Sequence, residues 1–231
     1  MNDPFACGAG RDSLRGMIIS RGRGYIFVHI PKTGGTALAL ALEARARPDD
    51  ILIGDTPKAQ RRRARLKVLQ PAGRLWKHSG LAEIDGVVTA ADLDGLLCFA
   101  LVRNPWDRVV SYYHWLRVQH FAHPAVTLAR QLSFAGFVSH PDTAARLRSW
   151  PYGRYLRDAS GQNRAGLWIR LEHLEEDMAP LARHLGFLPR MTHENRSDRR
   201  ADYRGYYTPE SAARIAEICA EDIARFGYSF G

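Results

Sequence analysis

From Pro31 to Thr36 the chain reads Pro-Lys-Thr-Gly-Gly-Thr, directly after the apolar run Tyr25–Ile30, and Thr36 opens the helical text TALALALEARA. A strand that feeds a glycine-rich turn into a helix start gathers backbone N–H donors and the positive end of a helix dipole at one point. That is chemistry for an anion, phosphate above all. Gly34 and Gly35 allow close approach of the backbone without side chains in the way. Thr33 and Thr36 add hydroxyl donors, and Lys32 adds a point charge on a flexible stem that can follow charge developing on a bridging oxygen. Only four of the 33 basic residues are lysine (Lys32, Lys58, Lys67 and Lys77), so a lysine in this loop stands out from an arginine background. The spelling excludes two common phosphate loops: G-x-x-x-x-G-K-[ST] sets its lysine after the second glycine, and G-x-G-x-x-G is absent.

A second constellation follows the continuous apolar run LLCFALV (Leu96–Val102). Arg103 ends that run, Pro105 opens a helix where proline is tolerated, and Ser111 lies eight positions after Arg103. The carboxyl end of a central strand is where ligands of open α/β sheets bind. A guanidinium fork with a hydroxyl is suitable chemistry for a terminal phosphate. Arg108 on the same helix reads as an ion-pair partner of Asp107 or Asp94. Trp106, Tyr112, Tyr113 and Trp115, at helical spacing, read as core or rim before any of them reads as a base-stacking platform.

The elements that must position these residues alternate between strand and helix. Strands are expected at Tyr25–Ile30, Ile51–Ile53, RLWKHSG up to Lys77 and His78, Leu96–Val102 and Leu167–Leu171. Helices are expected at Thr36–Ala46, Lys58–Gln70, Pro105 to about Gln119, Ser133–His140, Glu175–Leu185 and from Pro209 to Arg225 behind a Thr208 cap. This order predicts an α/β fold: a P-loop-type parallel β-sheet core flanked by helices, in a single domain spanning residues 25–231. Residues 1–24, rich in Gly, Arg and Ser, read as a flexible lead-in. Pro189–Tyr207 is a long, polar, arginine-rich segment, either a functional loop or a disordered one.

At 231 residues the chain is long enough for a substantial core, and its 45% hydrophobic and 25% charged content is that of a soluble globular protein. A net charge of +9 predicts an anionic partner without choosing one. Cys7, Cys98 and Cys219 are far apart and lack metal-ligand spacing, so no metal site is expected. No stretch approaches the ~20 apolar residues of a membrane span, and no signal-like region leads the chain, which points to a cytoplasmic protein. Arg61–Arg63 with Arg65 read as a solvated helix face.

Two blocks together resemble a known family. FVHIPKTGGTAL is similar to the 5′-phosphosulfate loop of sulfotransferases that use 3′-phosphoadenosine-5′-phosphosulfate (PAPS), in the branch with the carbohydrate O-sulfotransferases. LVRNPWDRVVSYYHW (Leu101–Trp115) resembles that family's 3′-phosphate-binding stretch, and the two fall in the family's order. NRSDRRADYRGYYTPES and EDIARFGYSF are loosely similar to its C-terminal loop and final helix. The resemblance implies sulfuryl transfer from PAPS to an acceptor hydroxyl, on a saccharide or small molecule that could itself be anionic, by in-line displacement and without a metal. Lys32, Thr33, Gly34, Gly35 and Thr36 would hold the phosphosulfate, and Arg103 with Ser111 the 3′-phosphate.

By the same resemblance, His78 in WKHSGL is the candidate general base, against the plain reading of a half-exposed loop histidine. His29 reads as shaping the loop, His114, His120 and His123 as lining an acceptor cleft, and Glu172 as a structural brace. One or two of Arg190, Arg196, Arg199, Arg200 and Arg204 are expected to touch PAPS or the acceptor. Three rivals remain at this stage. A P-loop nucleotide kinase or NTPase would want a different lysine position and a strand-ending aspartate. A basic nucleic-acid-binding protein would want a binding motif, so no nucleic-acid partner is expected. A degenerate, binding-only sulfotransferase fold is opposed by the presence of Lys32, Arg103 and Ser111.

Overall fold

The computed structural model describes residues 16–191 and 199–231. In chain order its elements are β1 (Gly16–Ser20), β2 (Tyr25–Val28), α1 (Gly35–Ala44), β3 (Ile51–Gly54), α2 (Pro57–Arg62), α3 (Ala90–Asp94), β4 (Leu97–Val102) and α4 (Pro105–Arg117). There follow α5 (Pro124–Gln131), α6 (Phe134–Ser139), α7 (Pro141–Arg148), α8 (Tyr152–Tyr155), β5 (Ala165–Arg170), α9 (Leu174–Leu185), α10 (Pro209–Ile218) and α11 (Ala220–Phe226). These elements fall into two compact units, residues 16–102 with 152–191 and residues 103–151 with 199–231.

The first unit holds a five-stranded sheet in the order β3-β1-β2-β4-β5. β2, β4 and β5 pair in parallel, with Phe27 opposite Phe99 and Leu101 opposite Ile169. β1 is antiparallel to both β2 and β3. Four strands therefore run one way, and β1 alone opposes them, so the sheet is mixed where a parallel one was expected. The cause is the connection. β1 and β2 are joined only by the turn Arg21–Arg23 and Gly24, closed by the Gly24 N–H donating to the Arg21 carbonyl at 3.1 Å. Parallel neighbours need a crossover of a dozen residues or more.

β1 also corrects the reading of a loose lead-in for residues 16–24, while residues 1–15 lie outside the described residues. Met17, Ile18 and Ile19 are fully buried, and the strand is hydrogen-bonded on both edges. The core against the sheet comprises Ile18, Tyr25, Phe27, Leu52, Phe99, Leu101 and Ile169, with Leu38 and Leu42 from α1 and Met178 and Leu181 from α9. Each such side chain contributes about 1.5–3 kcal/mol through burial.

Two further expectations change in this unit. RLWKHSG is not a strand. Ser79 turns it, its N–H donating to the Trp76 carbonyl at 3.0 Å while its Oγ accepts from the Trp76 N–H at 3.0 Å. The basic helix leaves α geometry at Arg62 and continues as a 3-10 turn to Val68. Arg62 there donates to the Arg47 and Asp50 carbonyls, and Arg65 to that of Pro48, so these two arginines staple the loop after α1. Arg61 and Arg63 are exposed, as a solvated face requires.

The second unit is helical. Asn104 caps α4 by accepting the Trp106 N–H at 3.1 Å, with Pro105 in the first turn. Residues 199–212 pack on α4: Trp106 Nε1 donates to the Ala212 carbonyl at 2.9 Å, and the Tyr207 hydroxyl donates to the Trp106 carbonyl at 2.8 Å. The rings of Trp106, Tyr203 and Tyr207 gather edge-on around Phe230. The last helix is two, broken at Cys219. No helix among the described residues is long and apolar enough to cross a membrane.

Candidate active site

The loop between β2 and α1 is strained in one place. Lys32 has φ +66°, and it is the one non-glycine residue with positive φ among those described. A left-handed L-residue costs roughly 1–2 kcal/mol, and such strain persists where the surroundings impose it. Here Thr33 imposes it, fully buried, with its Oγ1 donating to the Ile30 carbonyl at 2.9 Å. Thr33 thus fixes the turn with the hydroxyl that the sequence offers to an anion. Gly34 follows at φ +86°, and Gly35 begins α1.

Gly34 is required by its positive φ, and Gly35 by packing. A Cβ on Gly34 would lie 2.8 Å from Leu171 Cδ1, and one on Gly35 would lie 2.5 Å from His29 Cδ2. His29 therefore shapes the loop by filling the space beneath it. The first turn of α1 carries neither a side-chain cap nor an acidic residue. By contrast α2, α3, α4, α5, α6, α7 and α10 are capped by side chains. α9 and α11 carry acids in their first turns. Lys32 and Thr36 lie half-buried beside this helix start.

His78 is 1% exposed, not half-exposed. Its Nδ1 lies 2.7 Å from the His29 carbonyl. A carbonyl only accepts, so Nδ1 carries the proton and donates, which leaves Nε2 as the basic nitrogen of the neutral ring. The rings of Trp76 and His29 stand edge-on to it at 4.9 and 4.8 Å. His78 is thus bound to the last residue before Ile30 and the loop, on an element 49 positions away. Its neighbour Lys77 pairs with Asp55 at 2.8 Å.

In the helical unit, Arg103 donates from Nε at 2.7 Å, and also from Nη2, to Asp107 Oδ2. Arg199 donates from Nη2 to Asp107 Oδ1 at 2.6 Å. One carboxylate thus receives two guanidiniums. Ser111 is buried on α4, one turn beyond Asp107.

The pairing expected of Arg108 is corrected. Asp107 belongs to Arg103 and Arg199, Asp94 belongs to Arg164, and Arg108 lines a cavity of about 140 Å³ with Leu147, Cys219 and Asp222. Burial pushes the Cys219 thiol up to about 12 and Cys98 to about 11, leaving both unreactive. Trp106, Tyr112 and Tyr113 are core. Asp177 braces the end of β5 against α9, accepting from the N–H and guanidinium of Arg170. His123 caps α5. Arg196 lies outside the described residues.

Lys32, Thr33, Gly34, Gly35, Thr36 and His78 therefore belong to the sheet unit, and Arg103, Ser111, Asp107 and Arg199 to the helical one. The contact of Asp107 with both arginines was not anticipated, although its spacing from Arg103 is a readable signal. Leu171, against Gly34, has no sequence signal at all.

No family model matches the chain, and no curated protein matches it. Among solved structures it is similar to mouse sulfotransferase SULT7A1 complexed with PAP, at 16% identity and a TM-score of 0.43, over 87% of this chain and 84% of that one. At that identity and score the likeness fixes neither substrate nor site residues.

Proposed function

We propose that this chain is a PAPS-dependent O-sulfotransferase acting on a hydroxyl of a carbohydrate, glycoconjugate or related small acceptor. The observation that carries the reading is the loop of residues 31–36. Its lysine is held in a left-handed turn, and its two glycines open onto a helix start that has neither a cap nor an acid. Such a cradle fits a phosphosulfate, with its several oxygens and diffuse charge. The resemblance of the two sequence blocks names the nucleotide.

When bound, PAPS supplies a sulfuryl group, which passes to the acceptor oxygen as the S–O bond to the 5′-phosphate breaks and adenosine 3′,5′-bisphosphate leaves. The loop amides and Thr36 hold the 5′-phosphosulfate oxygens, and Lys32 neutralises charge growing on the bridging oxygen. Thr33 acts through the turn it fixes. Arg103 and Ser111, with Arg199 beside Arg103, hold the 3′-phosphate, and this contact separates PAPS from ATP. His78 takes the acceptor's proton on Nε2, its tautomer set by the His29 carbonyl. Catalysis here is positioning and charge neutralisation, as in phosphoryl transfer.

Calorimetric titration of adenosine 3′,5′-bisphosphate against wild type and Arg103→Ala, with AMP as control, tests the reading. Binding that needs both the 3′-phosphate and Arg103 supports it and opens an acceptor screen with labelled sulfate. Equal affinity for AMP would sink it and return the loop to nucleotide phosphates in general.

A further inference from the structure

Asp107 lies four residues after Arg103 and four before Ser111. Positions 107 and 111 share one face of α4, and Arg103 folds onto that face from just before the helix. The carboxylate is divided between two partners that are 92 positions apart in the case of Arg199: Oδ1 accepts from Arg199 and Oδ2 from Arg103. All three side chains are largely withdrawn from water, at 13% exposed for Arg103, 8% for Arg199 and 16% for Asp107.

Two guanidiniums do not converge in a partly buried place unaided, because each raises the cost of the other. An anion between them removes that repulsion and fixes the planes of both forks. In the ligand-free protein that anion is Asp107. The rest of the Arg199 segment is anchored to the same helix start without any charge. Asn104 Nδ2 donates to the Tyr203 hydroxyl at 3.2 Å and to the Ser229 carbonyl at 2.9 Å, and Tyr207 holds the Trp106 carbonyl. Asp107 is thus not needed to hold the segment in place. What it adds is the orientation of the two arginines.

We infer that Asp107 is the positioning residue of the terminal-phosphate site. It is a shared counter-ion that presents Arg103 and Arg199 as a two-guanidinium clamp for a phosphate monoester dianion. This rests on the assignment of Arg103 to the 3′-phosphate under the proposed function. Asp107 does not contact the ligand; it sets the geometry of the two residues that do. Recognition of the 3′-phosphate therefore depends on a carboxylate, a group that would weaken anion binding if charge alone mattered.

The test compares wild type, Asp107→Asn and Asp107→Glu by calorimetry with adenosine 3′,5′-bisphosphate and with AMP, alongside thermal unfolding. Asp107→Asn is expected to lower affinity for the bisphosphate about tenfold or more, the size of losing one charge-assisted hydrogen bond, while leaving AMP affinity unchanged. Asp107→Glu should restore part of the difference. If Asp107→Asn does not fold, Arg199→Gln reads the same clamp and should lose the same preference. Bisphosphate binding that is unchanged in Asp107→Asn overturns the inference, and tighter binding does so by showing that Asp107 competes with the phosphate. Equal losses for both ligands, with a lowered Tm, reduce Asp107 to a structural ion pair. A wild type that does not prefer the bisphosphate overturns the proposed function itself and this inference with it. A wild-type preference that survives in Asp107→Asn overturns only the role of Asp107.

Discussion

Gly35→Ala is a one-methyl change whose consequence can be worked from the geometry of the loop. The new Cβ would sit 2.5 Å from His29 Cδ2 and 2.9 Å from its Nε2. The ring is poorly placed to yield. It is 2% exposed, stacked on Phe27 with centroids 6.0 Å apart and edge-on to His78, and its own carbonyl accepts the His78 Nδ1–H. The backbone at residues 34–36 must therefore move, by ~0.9 Å to reach an ordinary contact of about 3.4 Å, and overpacking of this kind costs about 1–3 kcal/mol.

The same displacement takes a loop amide from ~2.9 Å to ~3.8 Å of a bound oxygen, beyond hydrogen-bond range. Losing one bond to a charged group weakens binding about tenfold to a hundredfold. Denaturant unfolding reads the first effect, and calorimetry with adenosine 3′,5′-bisphosphate reads the second. Gly186→Ala is the control, since Gly186 has φ +74° and open space around its Cβ position. It should cost stability through backbone strain of about 1–2 kcal/mol, with affinity unchanged. A Gly35→Ala protein that matches wild type in both measurements would refute the argument that His29 sets the loop.

Lys32→Met is expected to lower kcat for sulfuryl transfer by about 10²–10³-fold, with bisphosphate affinity changed far less; equal losses in both would remove its role at the bridging oxygen. His78→Asn keeps a donor for the His29 carbonyl but removes the base, so kcat should fall about 10²–10⁴-fold with the thermal midpoint retained, and undiminished turnover would exclude His78. Hydrogen bonds from Ser160, Arg164 and Gln162 lower the Asp158 carboxyl to about 2. Its stabilisation is present above its ordinary value of about 4 and is lost as pH falls through about 2, so the stability gap between wild type and Asp158→Asn should close over that window. Burial raises Glu43, so its charged form destabilises the fold as pH climbs past the ordinary carboxylate range. Glu43→Gln should be the more stable protein at pH 7 and equal to wild type below about pH 4, and a constant gap across pH would contradict this.

The geometry of the glycine loop is legible from the sequence because everything that makes it is local: a strand, a glycine pair and a helix start within a dozen residues. What the sequence hides there is why Gly35 is glycine. The spelling suggests backbone left open for a ligand, whereas the ring of His29 already demands the absence of a Cβ. β1 is hidden for a related reason. Met17, Ile18 and Ile19 are too short an apolar run to stand out in Gly- and Arg-rich text, and their strand character comes from pairing with β2 on one edge and β3 on the other. Trp76 and its neighbours look like a strand until Ser79 offers their backbone a closer partner.

The charge pattern around Asp107 divides along the same line. Giving Asp107 to Arg108 overlooks that adjacent residues on a helix do not face each other, while positions four apart do. Arg103 and Asp107 were thus readable as a pair from spacing alone. Arg199 was not, since nothing local ties a residue 92 positions away to one carboxylate oxygen. The parts proposed to bind an anion through the backbone can be read from a short window. The part proposed to choose between nucleotides would depend on two guanidiniums that tertiary structure brings together, so a 3′-phosphate preference would be more exposed to single substitutions than loop binding.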